Sequence, residues 1–84
     1  MTREEVLERI REHLAAELSV EPGIIDEGTR FREDLEADSL DLVELVVELE
    51  DSYGIRIPDE QAAQILTVGQ AADFVAAHAA EIQS

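Results

Sequence analysis

The sequence predicts an all-α protein whose elements run as a helix, a long loop, a helix, a short helix and a final helix. Apolar residues recur with the spacing of amphipathic helices, and no segment alternates as a strand would. Capping residues stand where these patterns begin, and Pro or Gly interrupts the chain between them. At 84 residues the chain fits one small domain, so we expect residues 1–84 to fold as a single unit.

Helix one is predicted to start after Thr2 and to end near Glu17. Thr2 and Glu5 have the spacing of a capping box, in which the side chain of each residue accepts a hydrogen bond from the backbone N–H of the other. The apolar positions that follow at helical spacing are Val6, Leu7, Ile10, Leu14 and Leu18. This spacing predicts that one face of the helix is buried.

The segment 19–37 has no lasting period and is predicted to be a loop, interrupted by Pro22, Gly23 and Gly28. Loops of this length in compact domains are usually functional or disordered. This one also contains apolar residues that would anchor it, namely Val20, Ile24, Ile25, Phe31 and Leu35. We therefore expect the loop to pack against the helices.

Helix two is predicted from Ser39 to Ser52. Asp38 suits the N-cap, Asp41 places a negative charge in the first turn, and Gly54 suits the C-terminal cap. These signals agree with each other, so both ends of the helix are predicted from local sequence.

Two helices are predicted after helix two. Pro58 fits the residue before a short helix three, roughly from Asp59 to Gln64. Thr67 and Gln70 have the spacing of a second capping box, which would start helix four near Val68. The packing stripe of helix four is predicted to consist of Ala71, Ala72, Phe74, Val75 and Ala79.

Helix two carries two apolar faces when its residues are placed at about 100° per residue. The face without acidic residues consists of Leu42, Leu45, Val46 and Leu49. The opposite face combines Leu40, Val43 and Val47 with Glu44, Glu48 and Asp51. A four-helix domain needs one face for its core, so the first face is predicted to be buried and the second to be a docking surface. Scattered surface aliphatics, or aliphatics covered by the long loop, would give the same pattern.

The chain is strongly acidic, with 21 Asp and Glu residues against six arginines and a formal net charge of −15. Nucleic acids and anionic membranes need a basic patch, so the charge argues against both and favours basic protein surfaces.

The absence of Cys excludes disulfides and thiolate chemistry of the chain itself. A charged start, with no apolar signal region and no membrane-length run, predicts a cytoplasmic protein without membrane insertion.

Ser39 is a small hydroxyl at the predicted start of helix two, inside a stretch from Glu33 to Asp51 that has nine acids and no Arg or Lys. Free backbone N–H groups and the positive end of the helix dipole would accommodate a phosphate on its hydroxyl.

A serine nucleophile would need a base and an oxyanion site, and His13 and His78 have no patterned partner. No EF-hand spacing occurs, so no metal site is predicted, although weak divalent binding stays open. Taken as a bare tripeptide, Asp38-Ser39-Leu40 is explained by helix capping.

The longer context resembles the acyl carrier proteins, of the small free-standing bacterial type. The strongest part is the segment 31–46, which reads FREDLEADSLDLVELV, with Asp-Ser-Leu as a highly specific signal. The run Ile57-Pro58-Asp59-Glu60 and the pair Thr67-Val68 agree with it. The resemblance covers almost the whole chain and implies a four-helix bundle with a short third helix.

The resemblance also implies a cofactor, partners and roles for particular residues. Ser39 would carry 4′-phosphopantetheine through a phosphodiester, added from coenzyme A by a phosphopantetheinyl transferase, and the arm's thiol would hold acyl groups as thioesters. The positions that would meet basic partner enzymes are Asp38, Leu40, Asp41, Val43, Glu44, Val47, Glu50, Asp51, Ile57, Asp59 and Glu60. The acyl chain would lie near Leu42, Leu45, Val46, Leu49, Ile65 and Ala71.

Three residues depart from the common pattern of the family. Glu36 stands where Gly is usual and would be strained if that position needs a positive φ. Leu42 replaces a residue that is often smaller or polar and would narrow the acyl pocket, and Ala63 thins the acidic stripe of helix three. These departures bear on the cargo and on the preferred partners.

The leading interpretation is a monomeric carrier for fatty-acid synthesis that serves ketosynthases, acyltransferases and related enzymes. A carrier for a polyketide or another specialised acylation pathway is the alternative within the family. An acidic helical adaptor without a cofactor is the alternative of another class. An independent enzyme is not predicted, because the sequence contains no catalytic constellation.

Overall fold

The structure is a computed structural model that describes residues 2–83, with side chains described for residues 2–78. Its helices are α1 (Arg3–Leu18), α2 (Ser39–Tyr53), α3 (Asp59–Ala62) and α4 (Val68–Gln83), with a 3₁₀ turn at Pro22–Ile24. Over residues 2–83 no strand forms, and the one ladder contact is an isolated bridge between Arg30 and Thr67. The prediction of an all-α fold with a short third helix is confirmed.

The ends of α1 are held by local hydrogen bonds. Thr2 is the N-cap, and its Oγ1 accepts a hydrogen bond from the Glu5 N–H at 3.2 Å. The helix continues to Leu18, one residue past the predicted end, and Ser19 then takes the left-handed conformation with φ 56. The Ser19 N–H donates to the Ala15 carbonyl, so the last turn of the helix is closed from within.

The most extensive helix contact in the core is between α1 and α4, which pack along each other. Ala71, Ala72 and Val75 of α4 are fully buried. Phe74 is half-buried at the edge of the core, and Ala79 lies outside the residues whose side chains are described. The fully buried residues that fill the contact from α1 are Val6, Ile10 and Leu14.

The long loop packs against the helices, as its apolar anchors predict. Ile25 and Phe31 are 1% and 2% exposed, and Leu35 is also buried. Ile24 is the exception, because it ends the 3₁₀ turn with its side chain outward and is 58% exposed. The prediction that Ile24 anchors the loop is therefore wrong.

The same loop is bonded to the start of α4 through backbone groups. The Val68 N–H donates to the Thr29 carbonyl at 3.0 Å, and the Gly69 N–H donates to the Glu27 carbonyl at 2.9 Å. A Cβ at Gly69 would lie 2.9 Å from that Glu27 carbonyl oxygen, so the close approach requires glycine. These bonds use N–H groups that the first turn of α4 leaves free.

The ends of α2 and α3 and the start of α4 agree with the predicted positions to within two residues. Gly54 caps α2 in the left-handed conformation with φ 63, as predicted. The α3 helix stops at Ala62 instead of Gln64, because the chain then turns with Gln64 and Ile65 donating to carbonyls three residues back. The predicted capping box at the start of α4 forms, with Gln70 accepting from the Thr67 N–H and Thr67 accepting from the Gln70 N–H.

Candidate functional site

Ser39 is the first residue of α2, and the residues on either side of it are held by a reciprocal capping box. Asp38 Oδ1 accepts from the Asp41 N–H at 2.9 Å, and Asp41 Oδ2 accepts from the Asp38 N–H at 3.1 Å. The caps fix the helix start without using the serine, whose side chain is exposed. Ser39 therefore presents a hydroxyl to solvent on a rigid helix end.

A tight turn leads into this helix start and is anchored in the core. Phe31 and Ala37 are both buried, and the Phe31 carbonyl accepts a hydrogen bond from the Ala37 N–H at 2.9 Å. Between them Glu36 has φ 54, the left-handed conformation that the family's usual glycine adopts at little cost. The expectation that Glu36 would be strained is thus met.

Arg32 extends from the same turn toward the serine. Its Nη2 lies 3.4 Å from Ser39 Oγ, a long contact between two exposed side chains. No sequence signal predicts this contact of Arg32, since seven residues separate it from Ser39 and no local pattern links the two.

A cleft of about 1050 Å³ opens beside Ser39, between α2 and the segment that runs through α3. Ser39 and Arg32 both line it, and Leu45 and Leu49 form part of its buried wall. All six residues predicted for the acyl pocket line this cleft: Leu42, Leu45, Val46, Leu49, Ile65 and Ala71. The cleft is thus mainly aliphatic at its wall and bears the serine hydroxyl at its edge.

The second apolar face of α2 is exposed at its centre and adjoins the cleft, which Val43 and Val47 also line. Leu40, Val43 and Val47 are 65%, 56% and 47% exposed, so the long loop does not cover them. The acidic residues predicted at this surface that are exposed are Asp38, Glu44, Asp51, Asp59 and Glu60. The geometry therefore presents an aliphatic strip bordered by carboxylates, the arrangement that the two-faced pattern of the helix predicted.

Four residues predicted at that surface are also used within the fold, the first being Asp38, whose side chain caps α2. Asp41 is half-buried in the capping box, and Glu50 accepts a hydrogen bond from the Ile57 N–H at 2.8 Å. Ile57 departs from the expectation, because its side chain is 4% exposed and packs into the core. A buried side chain offers little surface to a partner, so Ile57 holds the segment before α3 in place.

A further cluster of acids joins α1 to α2 and includes Asp41 and Glu44, two residues of the predicted docking surface. Carboxylate oxygens of Glu17, Asp41 and Glu44 lie within 4.8 Å of one another. A hydrogen bond to Glu44, with desolvation and the nearby negative charges, raises the pKa of Glu17 from its usual 4.5 to about 7. His13 Nε2 lies 3.8 Å from Glu17 Oε1. The cluster can share a proton, and since exposed acidic groups are common without an ion, no metal site is assigned to it.

The histidines make their described contacts within their own helices. His78 stacks on Phe74 with ring centroids 3.9 Å apart, and its Nδ1 lies 2.8 Å from the Phe74 carbonyl oxygen. His13 faces Glu17. Among the described side chains, Arg32 is the hydrogen-bonding neighbour of Ser39 Oγ, so no base is placed to activate the serine as a nucleophile.

Known proteins share both the sequence and the fold of this chain. A family described as the phosphopantetheine attachment site matches residues 8–75. The acyl carrier protein of Rubrobacter xylanophilus is 53% identical over 78 residues, which cover 93% of this chain and 96% of that protein. The chain belongs to the acyl carrier protein family. The acyl carrier protein of Prochlorococcus marinus is 47% identical over 77 residues, covering 92% of this chain and 96% of that protein.

The fold agrees with a solved acyl carrier protein structure. The structure of the acyl carrier protein from Enterococcus faecalis matches with a TM-score of 0.81 and 38% identity, over 93% of this chain and 99% of that chain. The prosthetic group of this family is 4′-phosphopantetheine, and the cofactor prediction is confirmed for this chain. In the described part of the chain, no helix has the length and apolar character needed to cross a bilayer.

Proposed function

We propose that this acyl carrier protein holds acyl intermediates of fatty-acid synthesis as thioesters on an arm attached to Ser39. The observation that carries the proposal is the position of the Ser39 hydroxyl, which is exposed at a capped helix start and stands at the edge of an aliphatic cleft. A hydroxyl in this position can be reached by a transferase, and what it carries can reach the cleft.

The residues around Ser39 fit the cofactor of the family. A phosphodiester on Oγ would meet the free N–H groups of the first turn of α2 and the guanidinium of Arg32. When bound, 4′-phosphopantetheine supplies the thiol that a chain without Cys lacks. We therefore assign attachment to Ser39 and give the protein itself the role of a carrier, with the chemistry done by partner enzymes.

The cleft gives the cargo a place out of water. Its wall is formed by aliphatic side chains, among them Leu45, Val46 and Leu49. Burying each methylene of an alkyl chain there would contribute about 0.8 kcal/mol. Leu42 lies partly buried at the cleft, where its bulk would limit the length or the branching of the chain that fits.

The acidic face of α2 and α3 fits the enzymes that this carrier would serve. A phosphopantetheinyl transferase, ketosynthases and acyltransferases with basic surfaces would meet Leu40, Val43 and Val47 through apolar contact and the carboxylates around them through charge. The charges would speed the encounter and orient it, while the aliphatic strip would supply contact area.

Attachment at Ser39 is tested by loading the apo protein. The purified protein is incubated with coenzyme A and a promiscuous phosphopantetheinyl transferase, and its mass is measured. We expect wild type and Ser52→Ala to gain one arm and Ser39→Ala to gain none, because Ser52 is a second α2 serine whose hydroxyl bonds to Glu48 at the far end of the helix. No gain by wild type, with the transferase active on a control carrier, would overturn the proposal and favour a cofactor-free adaptor.

The choice of the fatty-acid pathway rests on the run 41–46, which resembles the fatty-acid type more than the polyketide type. The loaded protein is given to a fatty-acid ketosynthase and to a polyketide ketosynthase, and the two rates are compared. We expect faster turnover by the fatty-acid enzyme. Equal rates, or a faster polyketide enzyme, would remove the support for this pathway while leaving the carrier role intact.

The docking face predicts a charge-dependent association rate. Asp51→Lys should slow binding to a ketosynthase several-fold at low salt, because Asp51 is exposed beside the aliphatic strip. Glu12→Lys, at an exposed position of α1, changes the net charge equally and serves as the control. Association rates are measured by stopped flow, and equal rates for the two variants would contradict a localised acidic docking face.

A further inference from the structure

Most arginines of this acidic protein are paired with carboxylates. Four of the six form salt bridges: Arg3 with Glu27 and Asp73, Arg9 with Glu48, Arg11 with Glu8, and Arg30 with Glu33 and Asp34. Arg32 and Arg56 form none with the carboxylates of residues 2–78. Both of them line the cleft beside Ser39.

The position of Arg32 is notable because acids are close to it along the chain. Glu33 follows directly and Glu36 comes one turn later, yet the Arg32 guanidinium lies against Ser39 Oγ at 3.4 Å. A neutral hydroxyl is a weak partner for a guanidinium, which binds anions best through its planar fork of N–H donors. The charge of Arg32 is therefore left for an anion that is joined to Ser39.

We propose that Arg32 is a positioning residue that binds the phosphodiester of the 4′-phosphopantetheine arm. The inference rests on the proposed attachment at Ser39. Esterification places phosphorus directly on Ser39 Oγ, so the two non-bridging oxygens come within reach of the guanidinium that already contacts Oγ. The planar guanidinium can then donate hydrogen bonds to both oxygens, which the ammonium group of a lysine cannot do as well.

Electrostatics near Ser39 give Arg32 a specific purpose. The capping carboxylates of Asp38 and Asp41 flank the serine, and both would repel a phosphodiester. Arg32 compensates for that repulsion from the side of the cleft, since it lines the cleft together with Ser39. The ion pair would hold the root of the arm at the cleft edge, so that the free end of the arm is directed toward the aliphatic wall.

The test uses phosphorus NMR of the loaded protein. Wild type, Arg32→Gln and Arg56→Gln are loaded with excess transferase, checked by mass and by circular dichroism, and measured from about 10 mM to about 0.5 M NaCl, where the Debye length falls from about 30 Å to under about 5 Å. Arg56→Gln is the matched control, because it removes the same charge from the same cleft without a contact to Ser39 among the described side chains.

We expect the phosphodiester resonance of wild type and of Arg56→Gln to move with salt as the ion pair is screened. In Arg32→Gln the resonance should be displaced at low salt and its salt-dependent movement should fall by about threefold or more. Arg32→Lys, which keeps the charge but loses the fork, should recover part of this movement and also serves if Arg32→Gln loads incompletely. The resonance of the Arg32 Nε–H group should shift on loading of wild type.

The outcomes separate the two claims. No mass gain by wild type would refute attachment at Ser39 itself. A normal gain, with phosphorus resonances of Arg32→Gln and Arg32→Lys that equal wild type at every salt concentration, would overturn only the role of Arg32. An Arg56→Gln spectrum that changes as much as that of Arg32→Gln would also overturn it, since the effect would then belong to the charge of the cleft as a whole.

Discussion

Glu36 is the residue at which the backbone of the Ser39 turn is most strained. Its φ of 54 lies in the left-handed region, which costs a residue with a Cβ roughly 1–2 kcal/mol. The turn that requires this conformation also carries Arg32. The Glu36 N–H donates a hydrogen bond to the Arg32 carbonyl at 3.1 Å. The strained residue thus lies in the turn that places Arg32 and leads into Ser39.

Replacing Glu36 by Gly is predicted to stabilise the protein. Glycine adopts φ 54 without strain, although it loses more chain entropy on folding, so the net gain in unfolding free energy should be about 1 kcal/mol. For a domain of this size that corresponds to a rise in melting temperature of roughly 4–8 °C. Urea unfolding and thermal melting of the apo protein measure both quantities.

Glu21→Gly is the control for Glu36→Gly, because it removes the same charge from the same exposed loop at a residue whose φ is −70. It should leave stability unchanged or lower it, since glycine there adds flexibility and relieves nothing. Equal stabilisation by both variants would mean that lost negative charge, rather than relief of backbone strain, is the cause.

At the scale of elements, the junction of α1 and α2 contains the strongest pH response that the structure predicts. Glu17 of α1 faces Glu44 and Asp41 of α2, and its pKa is raised to about 7, chiefly by a hydrogen bond to Glu44. A pKa raised on folding contributes stability that is complete below pH 4.5 and is lost as the pH rises through about 7. Two like charges then face each other across the helix pair.

Glu17→Gln is predicted to remove this loss of folding stability at high pH. Glutamine keeps a donor for Glu44 at every pH, so the variant should match wild type near pH 5 and exceed its melting temperature increasingly up to pH 8. His13 also lies close to Glu17, with Nε2 3.8 Å from Oε1, so its contribution has to be separated from that of Glu44 and Asp41. Thermal melts at constant ionic strength are therefore compared in the native and His13→Gln backgrounds.

Glu12→Gln provides the control for the junction, because Glu12 is exposed on α1 and outside the cluster. Its melting temperature should follow that of wild type across the whole pH range. If the difference in melting temperature between Glu17→Gln and wild type did not change with pH, the carboxyls of Glu17 and Glu44 would not share a proton in solution.

The elements differ in how far their own sequence predicts them. Helix ends followed from capping residues such as Asp38, Gly54 and Thr67, because a cap bonds to groups within a few residues of itself. The end of α3 and the outward position of the Ile24 side chain depend on how short turns pack. The spacing of apolar residues in the sequence does not predict that packing. Ser39 was singled out from a local motif, whereas the Arg32 contact and the Glu17 cluster join separate parts of the chain and required the fold.

At the scale of the whole molecule, packing and charge are distributed unevenly. The α1–α4 pair with the long loop forms the closely packed part, while α2 has fewer neighbours and borders the open cleft. The acids of the segment 33–51 fall on or next to α2, so like charges repel across the less tightly packed side. Admission of an acyl chain would therefore need rearrangement of the cleft wall and not of the α1–α4 contact.

The net charge of −15 predicts that simple salt stabilises the apo protein. The molecule measures 35 by 25 by 19 Å, so at about 10 mM salt, where the Debye length is about 30 Å, acids on opposite faces still repel one another. At about 0.1 M the Debye length is about 10 Å, and only near neighbours remain coupled. Screening also weakens the surface salt bridges, but each of these contributes only about 0–1 kcal/mol, so the relief of repulsion should dominate.

We expect the melting temperature to rise by about 5 °C between about 10 mM and 0.2 M NaCl, equivalent to about 1 kcal/mol. Tetramethylammonium chloride is the control, since it screens as NaCl does but is too large and too weakly coordinating to bind between the carboxylates of Glu17, Asp41 and Glu44. Equal rises in both salts would assign the effect to general repulsion. A rise in NaCl alone would assign it to cation binding, and a fall in both would mean that the salt bridges of the arginines outweigh the repulsion of the excess acids.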